Sequence, residues 1–221
     1  MALSASSLGQ KSCVLLIGAT GPTGRAVLAQ ARAERLPMRA LARRPESLDG
    51  TGGDAKDIAR GDVLDRTSLV AALAGVDTVV SALGTALTLQ PVTLLSEGTR
   101  NIVAAMRETG ASRLLCITGM GAGDSRGHGG FIYDRLILNT IFRTIYADKN
   151  RQEQIVASSG LDWLLLRPAR LVNGAMTGNY REITTFADER MTSISRADVA
   201  HFVVREVSRP RYSQQTVNLT Y

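Results

Sequence analysis

The feature that most constrains the fold is a set of three glycines near the N-terminus, Gly18, Gly21 and Gly24, between an apolar run and a helical pattern. Gly18 suits the tight turn off a strand end, Gly21 lets the backbone approach a pyrophosphate without a Cβ in the way, and Gly24 lets the helix pack close to the strand. Unpaired N–H groups at the helix start stabilise an anion, and Thr20 and Thr23 add hydroxyl donors. This order predicts a dinucleotide-binding strand–turn–helix; the alternative is a glycine-rich connection that binds nothing.

Strand-like and helical patterns alternate along the rest of the chain. Strands are predicted at 13–17, 38–42, within 57–63, 76–84, 113–118, 161–168 and 216–219, and helices at 23–35, 66–73, 96–109, 133–159 (broken near its middle) and 199–207. With 221 residues, no internal repeat and no linker-like segment, the chain fits one domain. We therefore predict an α/β fold with one doubly wound parallel sheet, Rossmann-like, over residues 13–221. A small C-terminal segment would lie on the substrate side, and residues 1–12 would form a loose leader.

Composition and charge argue against several classes of partner. The longest apolar runs are strand-length and residues 1–12 lack the apolar core of a secretory signal, so we expect no membrane contact and a cytoplasmic location. The formal charge of +6 comes from scattered arginines, and aromatic residues make up only 5% of the chain. We therefore expect no nucleic-acid partner, and a monomer or weak homodimer that acts on a small molecule.

The cysteines and histidines do not form a reactive or metal-binding pattern. Cys13 and Cys116 both fall in apolar, strand-like runs, where a free cysteine behaves as a small buried hydrophobe. A disulfide or a reactive thiol is the less favoured alternative. His128 and His201 are far apart and join no cluster with metal-ligand spacing, so no metal site is predicted.

An arginine pair, Arg43 and Arg44, ends the second predicted strand, and Arg43 follows Gly24 by 19 residues. An acidic residue at this distance binds the adenosine ribose of NAD, whereas an arginine accommodates the 2′-phosphate of NADP. The sequence therefore favours NADP(H), with NAD(H) the lesser candidate. The alternative is that both arginines are solvated surface charges, and Glu46 lies close by.

Asp62 and Val63 follow the third predicted strand, where open α/β sheets bind ligands. A carboxylate there suits the adenine amino group. Alternatively, Asp62 or the nearby Asp65 caps the next helix.

A glycine-dense segment at 119–130 follows the fifth predicted strand, at the same edge of the sheet. Its glycine content favours a mobile wall or lid of a substrate pocket. A plain surface loop is the alternative.

With these segments placed, the chain resembles the atypical short-chain dehydrogenase/reductase superfamily, which includes NmrA-like NAD(P)H-binding proteins, and most closely its flavin reductase/biliverdin reductase B group. The resemblance extends from Val14 to the C-terminus. It rests on the motifs at 18–24, 61–64, 83–85, 96–106, 158–161, 176–180 and 194–198. The match at 96–106 is the most detailed, whereas the glycine motif is common to the whole superfamily.

The resemblance implies that NADPH is the cofactor and that hydride passes to a flavin or a linear tetrapyrrole, with the proton taken from solvent. The cofactor site that the motifs and the resemblance together predict comprises Gly18, Thr20, Gly21, Pro22, Thr23, Gly24, Arg43, Arg44, Asp62, Val63, Leu83, Gly84, Thr85, Thr118 and Pro168.

The Tyr-x-x-x-Lys pair of the wider superfamily is absent from this chain. Neither Tyr133 nor Tyr146 is followed by a lysine four residues later, and Lys149, three beyond Tyr146, is out of register. We therefore expect no ordinary alcohol or ketone dehydrogenase mechanism, and we expect Lys149 and Glu153 to form an i,i+4 surface pair.

Two further positions differ from the resembling group. Gly119 replaces a serine, which leaves Thr118 as the nearest hydroxyl, and Arg170 replaces a histidine. Arg170 would grip an anionic acceptor, unless it points to solvent. With Thr118 and Arg170 as the predicted catalytic residues, the sequence favours an NADPH-dependent reductase of a flat conjugated acceptor, flavin first and biliverdin or quinone next. The alternatives are a non-enzymatic NADP(H)-sensing protein of the NmrA type and an epimerase relative.

Overall fold

Strands and helices alternate in the computed structural model, which describes residues 13–48, 57–125, 142–187 and 189–221. The strands are β1 (Cys13–Ile17), β2 (Met38–Ala42), β3 (Ile58–Arg60), β4 (Val76–Ser81), β5 (Arg113–Ile117), β6 (Asp162–Pro168), β7 (Arg170–Val172), β8 (Arg181–Ile183), β9 (Ser193–Ser195) and β10 (Gln215–Thr220). The helices are α1 (Pro22–Ala33), α2 (Arg66–Ala72), α3 (Leu94–Thr109), α4 (Arg143–Ala157) and α5 (Arg196–Ser208).

Eight of these strands form one sheet in the order β3-β2-β1-β4-β5-β6-β10-β8. Along this order, each strand from β3 through β2, β1, β4, β5 and β6 to β10 pairs in parallel with its neighbour. The last strand, β8, lies at the sheet edge and pairs antiparallel with β10. The order reverses between β1 and β4, which is the switch point where open α/β sheets bind ligands beyond their carboxyl ends. The predicted doubly wound, Rossmann-like sheet in a single domain is therefore confirmed.

The sheet is buried on both faces, as β1 illustrates. Val14 and Leu16 face the core layer that contains α1 and α5, whereas Leu15 and Ile17 face the layer that contains α2, α3 and α4. Because parallel strands covered on both sides lack a polar face, such a strand is a continuous apolar run. The same arrangement explains why the central strands could be predicted from the sequence.

The C-terminal third departs from the predicted elements. The three-residue strands β7, β8 and β9 were not predicted, and β7 pairs with β9 in a separate two-stranded sheet. Of the helix predicted at 133–159, the described part is α4, which begins at Arg143; residues 126–141 lie outside the described residues.

No helix within the described residues is long and apolar enough to span a bilayer. In the same part of the chain, no three side chains of His, Cys, Asp or Glu lie together as a set of metal ligands. Cys13 and Cys116 are free thiols, and Cys116 is fully buried, as the apolar run around it predicts.

Candidate functional site

A cavity of about 470 Å³ lies along the carboxyl edge of the sheet, on both sides of the switch point. Its volume is in the range of small-molecule sites. Its walls are formed by Ile17, Gly18, Thr20, Gly21, Pro22, Thr23, Leu41, Ala42, Arg43, Gly61, Asp62, Val63, Leu64, Ala82, Leu83, Gly84, Thr85, Leu94, Ile117, Thr118, Lys149 and Leu171. The cavity thus brings together most of the residues predicted for the cofactor site.

The glycine turn forms the middle of this cavity. Gly18 has a φ of 81°, and a Cβ there would overlap the carbonyl oxygen of Ala82. A Cβ on Gly24 would overlap the carbonyl oxygen of Gly18, so Gly24 lies behind the cavity wall and lets α1 approach β1. At Gly21 the nearest atom to a Cβ would be 3.5 Å away, which leaves the cavity side open.

The first turn of α1 is suited to an anion. Gly21 is its N-cap, Pro22 follows, and no side chain caps the helix. The first N–H groups of α1 therefore keep their hydrogen-bonding capacity beside the open face of Gly21. This uncapped cradle fits the pyrophosphate of a dinucleotide.

The ends of β2 and β3 form one end of the cavity. Arg43 lines it with an exposed side chain, whereas Arg44 is exposed outside it. Asp62 lines it too, and its Oδ1 accepts a 3.0 Å hydrogen bond from the backbone N–H of Leu64. Asp65, not Asp62, caps α2, because its side chain accepts from the N–H of Thr67. The carboxylate of Asp62 therefore remains part of the cavity wall.

Thr118 at the end of β5 lines the opposite end of the cavity and is only 7% exposed. Its hydroxyl donates a 2.6 Å hydrogen bond to Oε1 of Glu153. Arg167 in β6 donates to both oxygens of the same carboxylate, across 3.0 Å from Nε and 2.7 Å from Nη2. Because the hydroxyl hydrogen is held by Glu153, Thr118 offers the cavity an acceptor lone pair rather than a donor.

One face of α4 presents polar side chains to the loop that follows β5. This α4 polar face consists of Tyr146, Lys149, Asn150 and Glu153, spaced i, i+3, i+4 and i+7. The hydroxyl of Tyr146 donates to the carbonyl oxygen of Met120 (2.6 Å), and Oδ1 of Asn150 accepts from the N–H of Gly123 (3.0 Å). Nζ of Lys149 donates to the carbonyl oxygen of Thr118. The loop and the cavity wall are therefore both fixed by α4.

The predicted surface pair between Lys149 and Glu153 is wrong. Glu153 is 6% exposed and is bound by Thr118 and Arg167, while Lys149 lines the cavity. The i,i+4 spacing is the same whether a helix face is exposed to solvent or packed against protein. Here this face of α4 packs against the sheet edge and the loop after β5.

The glycine-dense segment is partly fixed. Residues 119–122 and Ser125 are buried, and Oγ of Ser125 accepts from the N–H of Gly121 across 2.9 Å. Gly123 has a φ of 54°, and a Cβ there would overlap the guanidinium of Arg167. None of residues 119–125 is in the cavity lining, so the described part of the segment packs against α4 and β6 beside the cavity, and residues 126–130 lie outside the described residues.

Burial alters the acid–base properties of two groups near Thr118. It lowers the pKa of Lys149, and the negative charges of Cys116, when ionised, and of Glu153 oppose this effect. Burial raises the pKa of the Cys116 thiol to about 12. The thiol therefore stays protonated near neutral pH.

Four predicted site residues lie outside the cavity lining: Gly24, Arg44, Pro168 and Arg170. The carbonyl oxygen of Pro168 accepts from the N–H of Met120 (2.9 Å). Arg170 is exposed, and its neighbour Leu171 lines the cavity instead. The sequence analysis missed Lys149 and Leu171 as residues of the site. For Lys149, the available signal was the shared helical face of Tyr146, Lys149, Asn150 and Glu153.

The fold and the uncapped glycine cradle define a dinucleotide-binding α/β protein. Residues 18–210 match the model of the NAD(P)H-binding family, and the chain belongs to that family.

Similar proteins come from plants and bacteria. An uncharacterised chloroplastic protein of Arabidopsis thaliana is 26% identical over 92% of this chain and 67% of its own length. The structure of ChuY, an anaerobilin reductase from Escherichia coli O157:H7, is 25% identical with a TM-score of 0.77, covering 95% of this chain and 97% of that one. A short-chain dehydrogenase/reductase of Veillonella parvula in complex with NADP shares the fold at 14% identity (TM-score 0.77; 95% and 94% covered).

Proposed function

We propose that the protein is an NADPH-dependent reductase of a flat conjugated acceptor, with flavin the first candidate and biliverdin or a quinone next. The observation that carries the proposal is the cavity beyond the glycine cradle. It continues between apolar walls at Leu94, Ile117 and Leu171 to the polar pair Thr118 and Lys149. Apolar walls with few polar groups suit a flat ring system that must be oriented in the cavity.

Different groups of the chain would bind different parts of the cofactor. The first N–H groups of α1 would hold the pyrophosphate, and Asp62 would accept from the adenine amino group. Arg43 would hold the 2′-phosphate, which a guanidinium binds through two parallel hydrogen bonds. When bound, the reduced nicotinamide supplies a hydride to the acceptor.

Thr118 would orient the acceptor from the end of β5. Since the hydroxyl hydrogen of Thr118 is donated to Glu153, the hydroxyl oxygen would accept a hydrogen bond from an N–H or O–H group of the acceptor, or from the amide N–H of the nicotinamide. Arg170 lies outside the cavity lining, so it would contact an acceptor only through an anionic substituent that extends beyond the rim, such as a phosphate or a propionate.

The similarity to ChuY, an anaerobilin reductase, supports a reductase. The test is NADPH oxidation, followed at 340 nm, with FMN, riboflavin, biliverdin and a benzoquinone. We expect turnover with at least one of them. If NADPH binds but none is reduced, the reductase proposal is overturned.

That second outcome would favour a non-enzymatic NADP(H)-sensing protein. One observation supports this alternative: within the described lining of the cavity no tyrosine is present, and the Tyr146 hydroxyl is tied to Met120. A sensor would bind NADP(H) and a protein partner without turnover.

A further inference from the structure

The cavity holds few ionisable side chains, and they are unevenly placed. Among its described lining residues only Arg43, Asp62 and Lys149 can carry a charge. Arg43 follows β2 and Asp62 follows β3, at the cavity end farther from Thr118 along the sheet order. Lys149 is therefore the one ionisable side chain at the Thr118 end.

The neighbouring polar hydrogens are already committed. Thr118 donates its hydroxyl hydrogen to Glu153, and the Tyr146 hydroxyl donates to the Met120 carbonyl. Arg167 binds the Glu153 carboxylate, and a guanidinium does not give up a proton in proteins. None of these three groups is a ready proton source for a ligand in the cavity.

Lys149 is in a different position. Its ammonium has three N–H groups, and one donates to the carbonyl oxygen of Thr118. No other hydrogen-bond acceptor in the described part of the chain engages Nζ, so two protons remain for a ligand in the cavity that Lys149 lines. The Tyr146 ring centroid lies 5.8 Å from Nζ, which favours the charged form.

We propose that Lys149 is the catalytic proton donor of this cavity, and this rests on the proposed reductase function. An acceptor that has taken up a hydride carries one additional negative charge. Lys149 transfers a proton from Nζ to a nitrogen or oxygen of that acceptor. The N–H bond breaks with its electron pair left on Nζ, and the new bond uses the acceptor's own pair. The neutral amine then regains a proton from water at the cavity mouth.

The surroundings of Lys149 fit this cycle of charging and discharging. Burial lowers its pKa and so eases release of the proton, while the negative charge of Glu153 on the next turn of α4 opposes that effect. The other groups beside it are the Tyr146 phenol on α4 and the Cys116 thiol on β5, and the Arg167 guanidinium on β6 is paired with Glu153. Of these, the thiol stays protonated and the guanidinium stays charged at neutral pH.

The test compares Lys149→Arg with Lys149→Met. Arginine keeps the positive charge but cannot release a proton, so a proton donor is not rescued by it. With the best acceptor of the panel, we expect both variants to lose kcat by at least about 100-fold while Kd for NADPH, measured by fluorescence titration, stays within about threefold of the parent. A control variant, Arg209→Met, removes an exposed charge at the end of α5 and should leave both values unchanged.

A second readout is independent of turnover. The chain has only three lysines, Lys11, Lys56 and Lys149, so ¹³C-lysine labelling gives three Cε signals, and Lys149→Met assigns one of them. We expect that signal to titrate at lower pH than the other two. We also expect it to shift when FMN is added to protein saturated with NADP⁺.

Each outcome decides between the proposals. Turnover by the parent with full activity in Lys149→Arg overturns the proton-donor role alone. A rise in Kd for NADPH that matches the loss of kcat also overturns it, since Lys149 would then be a cofactor contact. A Lys149 signal that stays unmoved with every acceptor that the parent reduces contradicts its place beside the acceptor. No turnover by the parent with any acceptor overturns both proposals.

Discussion

The Thr118 hydroxyl and the Glu153 carboxylate, 2.6 Å apart, join the cavity wall at the end of β5 to helix α4. Both side chains are buried, and the carboxylate is also paired with the buried Arg167. A charged group is stable in such a place only while its partners remain. The same contact therefore supports the fold and fixes the direction of the Thr118 hydroxyl.

We predict that Glu153→Gln destabilises the protein strongly. The change keeps the shape of the side chain but removes the negative charge that pairs with the buried Arg167 guanidinium. Breaking one partner of a buried pair costs about 3–5 kcal/mol of unfolding free energy, which urea denaturation followed by circular dichroism would measure. The matched control is Glu108→Gln, which breaks the exposed Arg66–Glu108 pair and should cost less than about 1 kcal/mol. Equal losses in the two variants would contradict the buried pairing.

Two glycines of the turn have different roles, so we predict that a substitution at Gly21 weakens cofactor binding and that one at Gly24 destabilises the fold. Gly21→Ala adds a methyl group on the open cavity side, so Kd for NADPH should rise about 10-fold or more, by displacing the pyrophosphate. The unfolding free energy should fall by only about 1 kcal/mol or less, because alanine is a poorer N-cap than glycine. Gly24→Ala places a Cβ against the Gly18 carbonyl oxygen and should cost about 1–3 kcal/mol in stability. Urea denaturation and fluorescence titration of each variant would check this. Loss of stability in Gly21→Ala with unchanged affinity would contradict the assignment of the cradle.

We predict that Arg43 decides between the two dinucleotides. Arg43→Glu should raise Kd for NADPH by about 10- to 100-fold and Kd for NADH by much less, because only NADPH has the 2′-phosphate that the new carboxylate repels. Arg44→Glu is the matched control, since its side chain is exposed outside the cavity lining. If Arg43→Glu weakens both dinucleotides equally, the 2′-phosphate assignment fails.

The central sheet was predictable because its strands leave a clear pattern. In β1, residues of both core layers alternate, so the strand is an apolar run of strand length. The strands β7 and β9 have three residues each and pair mainly with one another, and so short a segment carries too little periodicity to be recognised. Their existence depends on contacts far apart in the sequence.

The site was predictable where function depends on the backbone and less so where it depends on side-chain direction. The Gly18 turn requires a positive φ that few other residues adopt, so the residue type itself reveals the conformation. Lys149 and Glu153 have the spacing of a surface pair, and only the packing of α4 shows that one lines the cavity and the other is buried. At Arg170 and Leu171 the sequence indicated the right segment, but the structure places Leu171 in the cavity lining.

Asp198 holds the segment after β7 to helix α5. Its side chain is fully buried, and Oδ1 accepts from the N–H groups of Thr177 (2.9 Å) and Gly178 (2.8 Å), while Oδ2 accepts from the Tyr221 hydroxyl (2.7 Å). Burial alone would raise the pKa of Asp198, but these hydrogen bonds outweigh it and hold the pKa below its ordinary value.

This lowered pKa predicts a pH-dependent stability. As the pH falls, Asp198 is protonated near pH 4 in the unfolded chain and only at a lower pH in the folded chain. The contribution of the Asp198 carboxylate to the unfolding free energy is therefore fully present above about pH 4 and is lost as the pH falls through the pKa of the folded state. Asp198→Asn should therefore be less stable than the parent at pH 7, and the difference in unfolding free energy should shrink below pH 4. Urea denaturation at a series of pH values would measure it, with Asp77→Asn, whose side chain is exposed, as the control that should follow the parent. A difference that stays constant down to pH 2 would mean that the hydrogen bonds of Asp198 do not favour its charged form.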